Sequence, residues 1–204
     1  MIELDFYDAK FNQFISEFLP QTVISMRLDL NSNTRGQVEE LAKSGIGVFH
    51  LLADYHGRSS DGQFIGDLIW KTHNHLVNSG IREEVTLVAS GGIIAAEHVP
   101  KAIINGADLV GIDTTYMVAL QGRFQGEGCD RERTDFTLPG KLSNDWGTQR
   151  IVNWVGATRD QLLEILGAMG MREVRRQRGE VGRAMFAKNL EEEAFSSIAG
   201  YQKR

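Results

Sequence analysis

The chain has 204 residues, of which 42% are hydrophobic, enough for one domain with a sizeable core. A formal net charge of −5 gives no reason to expect nucleic acid or a membrane surface as partner. No apolar run reaches the roughly 18 residues of a spanning helix, and MIELDFYDAK is no secretory leader. The single cysteine, Cys129, excludes an internal disulfide and a thiolate-only metal or iron–sulfur site within one chain, so a soluble, cytoplasmic protein of a reducing compartment is expected.

Residues 1–20 form an N-terminal helical segment: from Phe11 the apolar positions recur at three and four, giving a helix with one aromatic face that ends at Leu19-Pro20. That face either covers a sheet edge or meets a partner. Val23 to Leu28 reads as a strand, Asn31 to Thr34 as a loop and N-cap cluster, and Gln37 to Lys43 as a helix. Val48 to Leu52 is the next strand, followed by the polar loop ADYHGRSSDG. Phe64 to Val77 is an amphipathic helix whose inner face carries Ile65, Leu68, Ile69, Leu76 and Val77.

The stretch from Val85 to Leu120 organises the rest. An apolar run stops at Ser90-Gly91-Gly92, a helical segment follows, and a second run begins at Leu109 after Gly106-Ala107-Asp108. This is a βαβ unit with parallel strands. Its glycine turn either brings backbone N–H groups and a helix N-terminus to a phosphate or is a tight βα turn holding nothing. Four strands, at 23–28, 48–52, 85–90 and 109–112, alternate with helices, so residues 21–120 form an α/β layer with a parallel sheet. Their near-continuous apolar runs suggest burial on both faces.

Residues 121–144 read as an irregular loop anchored by Phe136 and Leu138. Residues 145–204 are a helical C-terminal extension, with a helix over Asp145 to Leu166. Arg172, Arg175, Arg176 and Arg178 form a basic cluster, read as a solvated face balanced by Glu173, Glu180 and Glu191 to Glu193.

Several side chains could carry chemistry. His50, Asp54 and His56 lie together at the end of the second strand and offer metal ligation or acid–base catalysis, against a packed histidine and a decorated loop. His73 and His75, two apart on a helix, point to different faces. His98 falls at the helix after the glycine turn. Cys129 has no evident base beside it. Arg58, Ser59 and Ser60 either contact phosphate or solvate their loop.

The segments VISMRLD, GVFHLLADYHG, NSGIREEVTLVASGGI, KAIINGADLVGIDTTYMVAL and WGTQRIVNWVGATRDQLLEILGAMGMREV, in this order, resemble the C-terminal half of the FMN-binding domain of the glutamate synthase family. That domain is a (βα)8 barrel, and the resemblance implies a TIM-barrel-like half-barrel made of its last four βα units, with ligand at the C-terminal strand ends. It further implies that FMN phosphate lies between the turn of Ser90, Gly91 and Gly92 and the turn of Gly111, Asp113 and Thr114. Arg27 would stand where the family usually has lysine, facing the flavin ring.

Four features depart from the family pattern. The loop after the second strand keeps only Gly57 of its glycines, Asp113 replaces a small residue beside the phosphate, and only Cys129 remains where a cysteine cluster would fall, so no iron–sulfur cluster is expected. The N-terminal half of the barrel and the glutaminase domain do not appear. Besides a flavin-associated oxidoreductase module, two further readings stand: a degenerate structural or regulatory subunit of a larger redox complex, and a half-barrel for another phosphorylated metabolite. Four parallel strands cannot close a barrel, so the expected partner is a second copy or a chain supplying the missing strands.

Overall fold

The computed structural model describes residues 1–181 and residue 196. Five parallel strands form one sheet in the order β1-β2-β3-β4-β5, each pairing with the next in sequence: β1 Ile2–Leu4, β2 Ile24–Asp29, β3 Val48–Leu52, β4 Thr86–Ser90 and β5 Leu109–Gly111. Helices connect them: α1 Ala9–Phe18, α2 Thr34–Lys43, α3 Ile65–Asn78 and α4 His98–Ile104, with α5 Thr114–Ala119 after the last strand. No closure joins β1 to β5, so the α/β half-barrel expected from the sequence is present with one strand more than was expected.

That strand corrects the reading of residues 1–20 as helical only. Ile2-Glu3-Leu4 pairs in register with Ile24, Ser25 and Met26. Three residues before a charged stretch carry too little periodicity to announce a strand. The helix behind it starts at Ala9, because the Asp8 carboxylate accepts the Lys10 and Phe11 backbone N–H groups at 2.8 and 3.2 Å. Of its apolar residues only Ile15 is buried; Phe11, Phe14 and Phe18 stay exposed.

The two faces of the sheet differ, which corrects the expectation of strands buried on both sides. One face, with Met26, Phe49, Leu51, Leu87 and Ala89, packs under Leu68, Ile69 and Leu76 of α3 to form the core. Val77, expected on that inner face, is exposed. The parallel register puts Arg27 opposite His50 and Leu52 opposite Ser90, on the other face. That concave side alternates apolar residues with Arg27, Asp29, His50 and Ser90, so it is a mixed surface and not a continuous apolar one.

Residues 121–144 hold more than a loop. β6 Arg123–Gln125 and β7 Asp135–Thr137 pair as an antiparallel ribbon with Phe124 opposite Phe136. Those rings lie 4.2 Å apart, and both meet the Tyr55 ring edge-on at 5.4 and 5.2 Å. The aromatic trio clamps the ribbon against the loop that follows β3. α6 Asn144–Ala168 then runs 25 residues with Leu166 alone buried. The acidic run at 191–193 lies outside the described residues.

At the opposite, N-terminal ends of the strands, Arg82 is 3% exposed and makes four bonds: to His73 Nδ1, the Val85 and Gly106 carbonyls and Asp108 Oδ2. Arg178 donates to Asp108 and Glu83. Its guanidinium is held protonated above its usual range: burial opposes the charge, and the Glu83 and Asp108 hydrogen bonds outweigh it. Arg178 therefore leaves the solvated basic face read from the sequence. It fastens the segment after α6 to the start of β5, while Arg175 and Arg176 do pair with Glu173 in solvent.

Candidate functional site

At the C-terminal ends of β2 to β5 lies a cavity of about 780 Å³. Arg27, Ser90, Gly111 and Asp113 line it, so four of the seven residues singled out for a cofactor converge there. Gly91 and Thr114 do not line it. Gly92 opens instead into a second cavity of about 630 Å³ beside α3 and α4, with His56, Trp70, His98 and Lys101.

The glycine turn is built for close packing. Gly91 has φ +107, and a Cβ there would stand 2.4 Å from the Ala53 carbonyl oxygen. Gly92 has φ +67, and its Cβ would meet Gly57 Cα at 2.4 Å. Both conformations are open to glycine and strained for other residues. The absent side chains thus make room for the loop from Ala53 to Gly57. The turn also does not begin a helix: α4 starts at His98, six residues past Gly92, and the His98 ring accepts the Ile94 and Ala95 N–H groups. The N–H groups of Gly91, Gly92 and Ile93 have no acceptor among the described residues.

The second turn is already occupied. The Asp113 carboxylate caps α5, accepting the Thr114 backbone N–H and, at 3.0 Å, the Thr114 hydroxyl. Arg131, carried on the ribbon, donates Nη1 to Asp113 at 2.7 Å and Nε to the Ala53 carbonyl at 2.7 Å. Its guanidinium also lies over the Tyr55 ring at 4.3 Å. β4 runs between β3 and β5, so this arginine crosses the end of β4 above Ser90. Burial works against the charge on Asp113, but the hydrogen bonds from Arg131 and Thr114 together outweigh it and hold the carboxyl below its usual range. Sequence reasoning missed Arg131. Its only signal was an arginine in a charged loop between two phenylalanines that turn out to pair.

The trio His50, Asp54 and His56 does not meet. Asp54 accepts the His56 and Arg58 N–H groups within its own loop, and the His56 ring donates to the Glu127 carbonyl. Among the described residues no group of His, Cys, Asp and Glu is arranged to hold a metal ion. His50 turns to the concave face, with Glu3 at 2.7 Å from Nδ1 and Ser90 at 2.6 Å from Nε2. Arg27 pairs with Asp5 at 2.9 Å and stays exposed. Arg58, Ser59 and Ser60 reach the cavity rim. His73 and His75 separate as expected, to Arg82 and Glu39.

The family model described as the conserved region in glutamate synthase matches residues 65–172. The archaeal glutamate synthase [NADPH] of Methanocaldococcus jannaschii is 36% identical over 112 residues, covering 51% of this chain and 22% of that protein. An archaeal-type glutamate synthase [NADPH] of Dehalococcoides mccartyi is 31% identical over 113 residues, 52% of this chain and 22% of its own length. The match therefore spans about a fifth of each relative. Among solved structures, a double mutant of flavocytochrome b2 with pyruvate bound superposes with a TM-score of 0.59 at 14% identity, over 97% of this chain and 42% of that one. Mandelate oxidase with (S)-4-hydroxymandelic acid gives 0.51 at 16% identity, over 82% and 39%. These likenesses concern the fold. The matched region, running from α3 through α6 to residue 172, covers just over half of the 204 residues, and the chain belongs to the glutamate synthase family.

Proposed function

We propose that the chain is one half of a flavin-associated oxidoreductase module of the glutamate synthase kind, completed by a second copy or by a chain that supplies the remaining strands. The observation carrying this reading is the convergence of Arg27, Ser90, Gly111 and Asp113 on one cavity at the C-terminal ends of parallel strands, where βα barrels keep their ligands. Family membership supports it. FMN, when bound, supplies hydride and electron transfer. In this chain Arg27 would face the ring, where a cation stabilises the charge of a reduced flavin.

The ring end of the cavity suits FMN and the phosphate end does not. Thr114 N–H already has the Asp113 carboxylate, Arg131 spans the gap between the two turns, and the loop at Ala53 to Gly57 fills the space over the glycines. A phosphate has to displace Asp113 before it reaches Thr114. This favours a second reading, a half-barrel subunit of a redox assembly that no longer holds flavin. In either reading one chain brings Cys129 alone and forms no iron–sulfur cluster by itself.

The decisive experiment is a visible spectrum of the chain purified without added cofactor, followed by FMN titration and light scattering at micromolar concentration. Bound flavin together with a mass of two or more chains supports the first reading. A colourless monomer that ignores FMN overturns it and leaves the second.

A further inference from the structure

Glu3, His50 and Ser90 come from three different strands, β1, β3 and β4, and meet on the concave face. The Glu3 carboxylate lies 2.7 Å from His50 Nδ1, and Ser90 Oγ lies 2.6 Å from Nε2. An ionised carboxylate only accepts, so it fixes the proton on Nδ1, and the neutral ring then accepts the Ser90 hydroxyl at Nε2. This is the acid–base–nucleophile order of serine hydrolysis, recognised by geometry and not by position in the chain. The hydroxyl lies at the C-terminal end of β4, directly before a positive-φ glycine. All three residues line the cavity.

We infer that Ser90 is the nucleophile of an acyl-transfer site, with His50 as its base and Glu3 as the positioning residue. Ser90 Oγ bonds to the acyl carbon while its proton passes to His50 Nε2 and the carbonyl electrons move onto oxygen. Collapse expels the alcohol or amine, which leaves with that proton. Water, deprotonated by His50, then releases the carboxylic acid and restores Ser90. Asp29 and Glu132, also on the cavity wall, have no ion pair among the described residues, so the site suits a small ester or amide carrying a cationic amine. The inference does not rest on flavin, and its test does not depend on flavin binding.

The test is reaction of the full chain with an alkyl fluorophosphonate, in which Ser90 Oγ displaces fluoride from phosphorus. The readouts are intact mass and peptide mapping. One adduct on Ser90 is expected, absent in Ser90→Ala and at least tenfold slower in His50→Gln. Glu3→Gln should slow labelling and Glu3→Asp should restore part of the rate. Circular dichroism and urea melts establish that each variant is folded. A folded wild type left unlabelled at Ser90, or a rate indifferent to His50→Gln, overturns the proposal.

Discussion

Arg131 Nη1 donates to Asp113 Oδ2 across 2.7 Å, bringing together the ribbon of 121–144 and the cap of α5. The pair puts a cation and an anion where the family pattern places a phosphate. The carboxylate satisfies Thr114 N–H, and the guanidinium satisfies the carboxylate.

If Asp113 is the built-in substitute for a phosphate, removing it should open the site. Asp113→Ala leaves Arg131 and Thr114 N–H without their partner, and FMN affinity is expected to rise at least tenfold, about 1.4 kcal/mol. The lost cap costs about 1 kcal/mol of stability. Flavin fluorescence titration of both proteins measures the first effect and urea melts the second. Equal affinity would show that Asp113 does not compete with the ligand.

Gly91→Ala tests whether the glycine turn serves packing. The new Cβ falls 2.4 Å from the Ala53 carbonyl oxygen at φ +107. Backbone strain alone is worth about 1–3 kcal/mol, and the loop must shift besides. A lower denaturation midpoint is expected even with no anion present. Undiminished stability coupled to loss of FMN binding would return the turn to a purely ligand-binding role.

Arg82 holds the other end of the sheet. Arg82→Met removes four hydrogen bonds and leaves Asp108 with Arg178 as its remaining cation. Breaking a buried pair from one side costs about 3–5 kcal/mol. Chemical denaturation monitored by circular dichroism reads this directly; a loss under 1 kcal/mol, as for a surface ion pair, contradicts the buried role.

His73 gives the same region a pH dependence. Burial first, then the Arg82 and Arg178 charges, push its pKa down from 6.5 to about 4. Its folded-state pKa is depressed, so the unfolded chain takes the proton first as pH falls. Stability is therefore full above 6.5 and is lost between there and about 4, on the order of 3 kcal/mol in all. Glu83, whose carboxyl is held low mainly by the Arg178 hydrogen bond, loses its contribution only below its ordinary 4.5. The window from pH 6.5 to 5 thus isolates the histidine. Urea melts across it should show falling stability in the wild type and a flatter profile in His73→Gln, which keeps an acceptor for Arg82.

The alternation of apolar strands with helices made the parallel sheet legible in the sequence, and the glycine turn and Gly-Ala-Asp step located its central unit. Boundaries moved where caps decided them, as at Asp8. What stayed hidden depended on contacts between distant residues. Ile2–Leu4 is a strand only because β2 offers it an edge. Nothing local in Glu3, His50 and Ser90 links them; the register of β1 through β4 does. Arg131 reaches Asp113 because Phe124 and Phe136, one on each strand of the ribbon, meet Tyr55 edge-on. Gly91 and Gly92 left a phosphate cradle and a tight packing turn both open, because a missing Cβ serves a nearby backbone and a nearby phosphate equally well.

The strand order has a consequence for biosynthesis. Every strand lies beside its predecessor in the chain, so the sheet can lengthen at one margin as the polypeptide leaves the ribosome, with no gap reserved for a strand still to be made. Within the described sheet β1 is the margin made first and β5 the margin made last. The contacts that span the strand ends, Arg131 with Asp113 and with the Ala53 carbonyl, therefore form after every strand they bridge has been made.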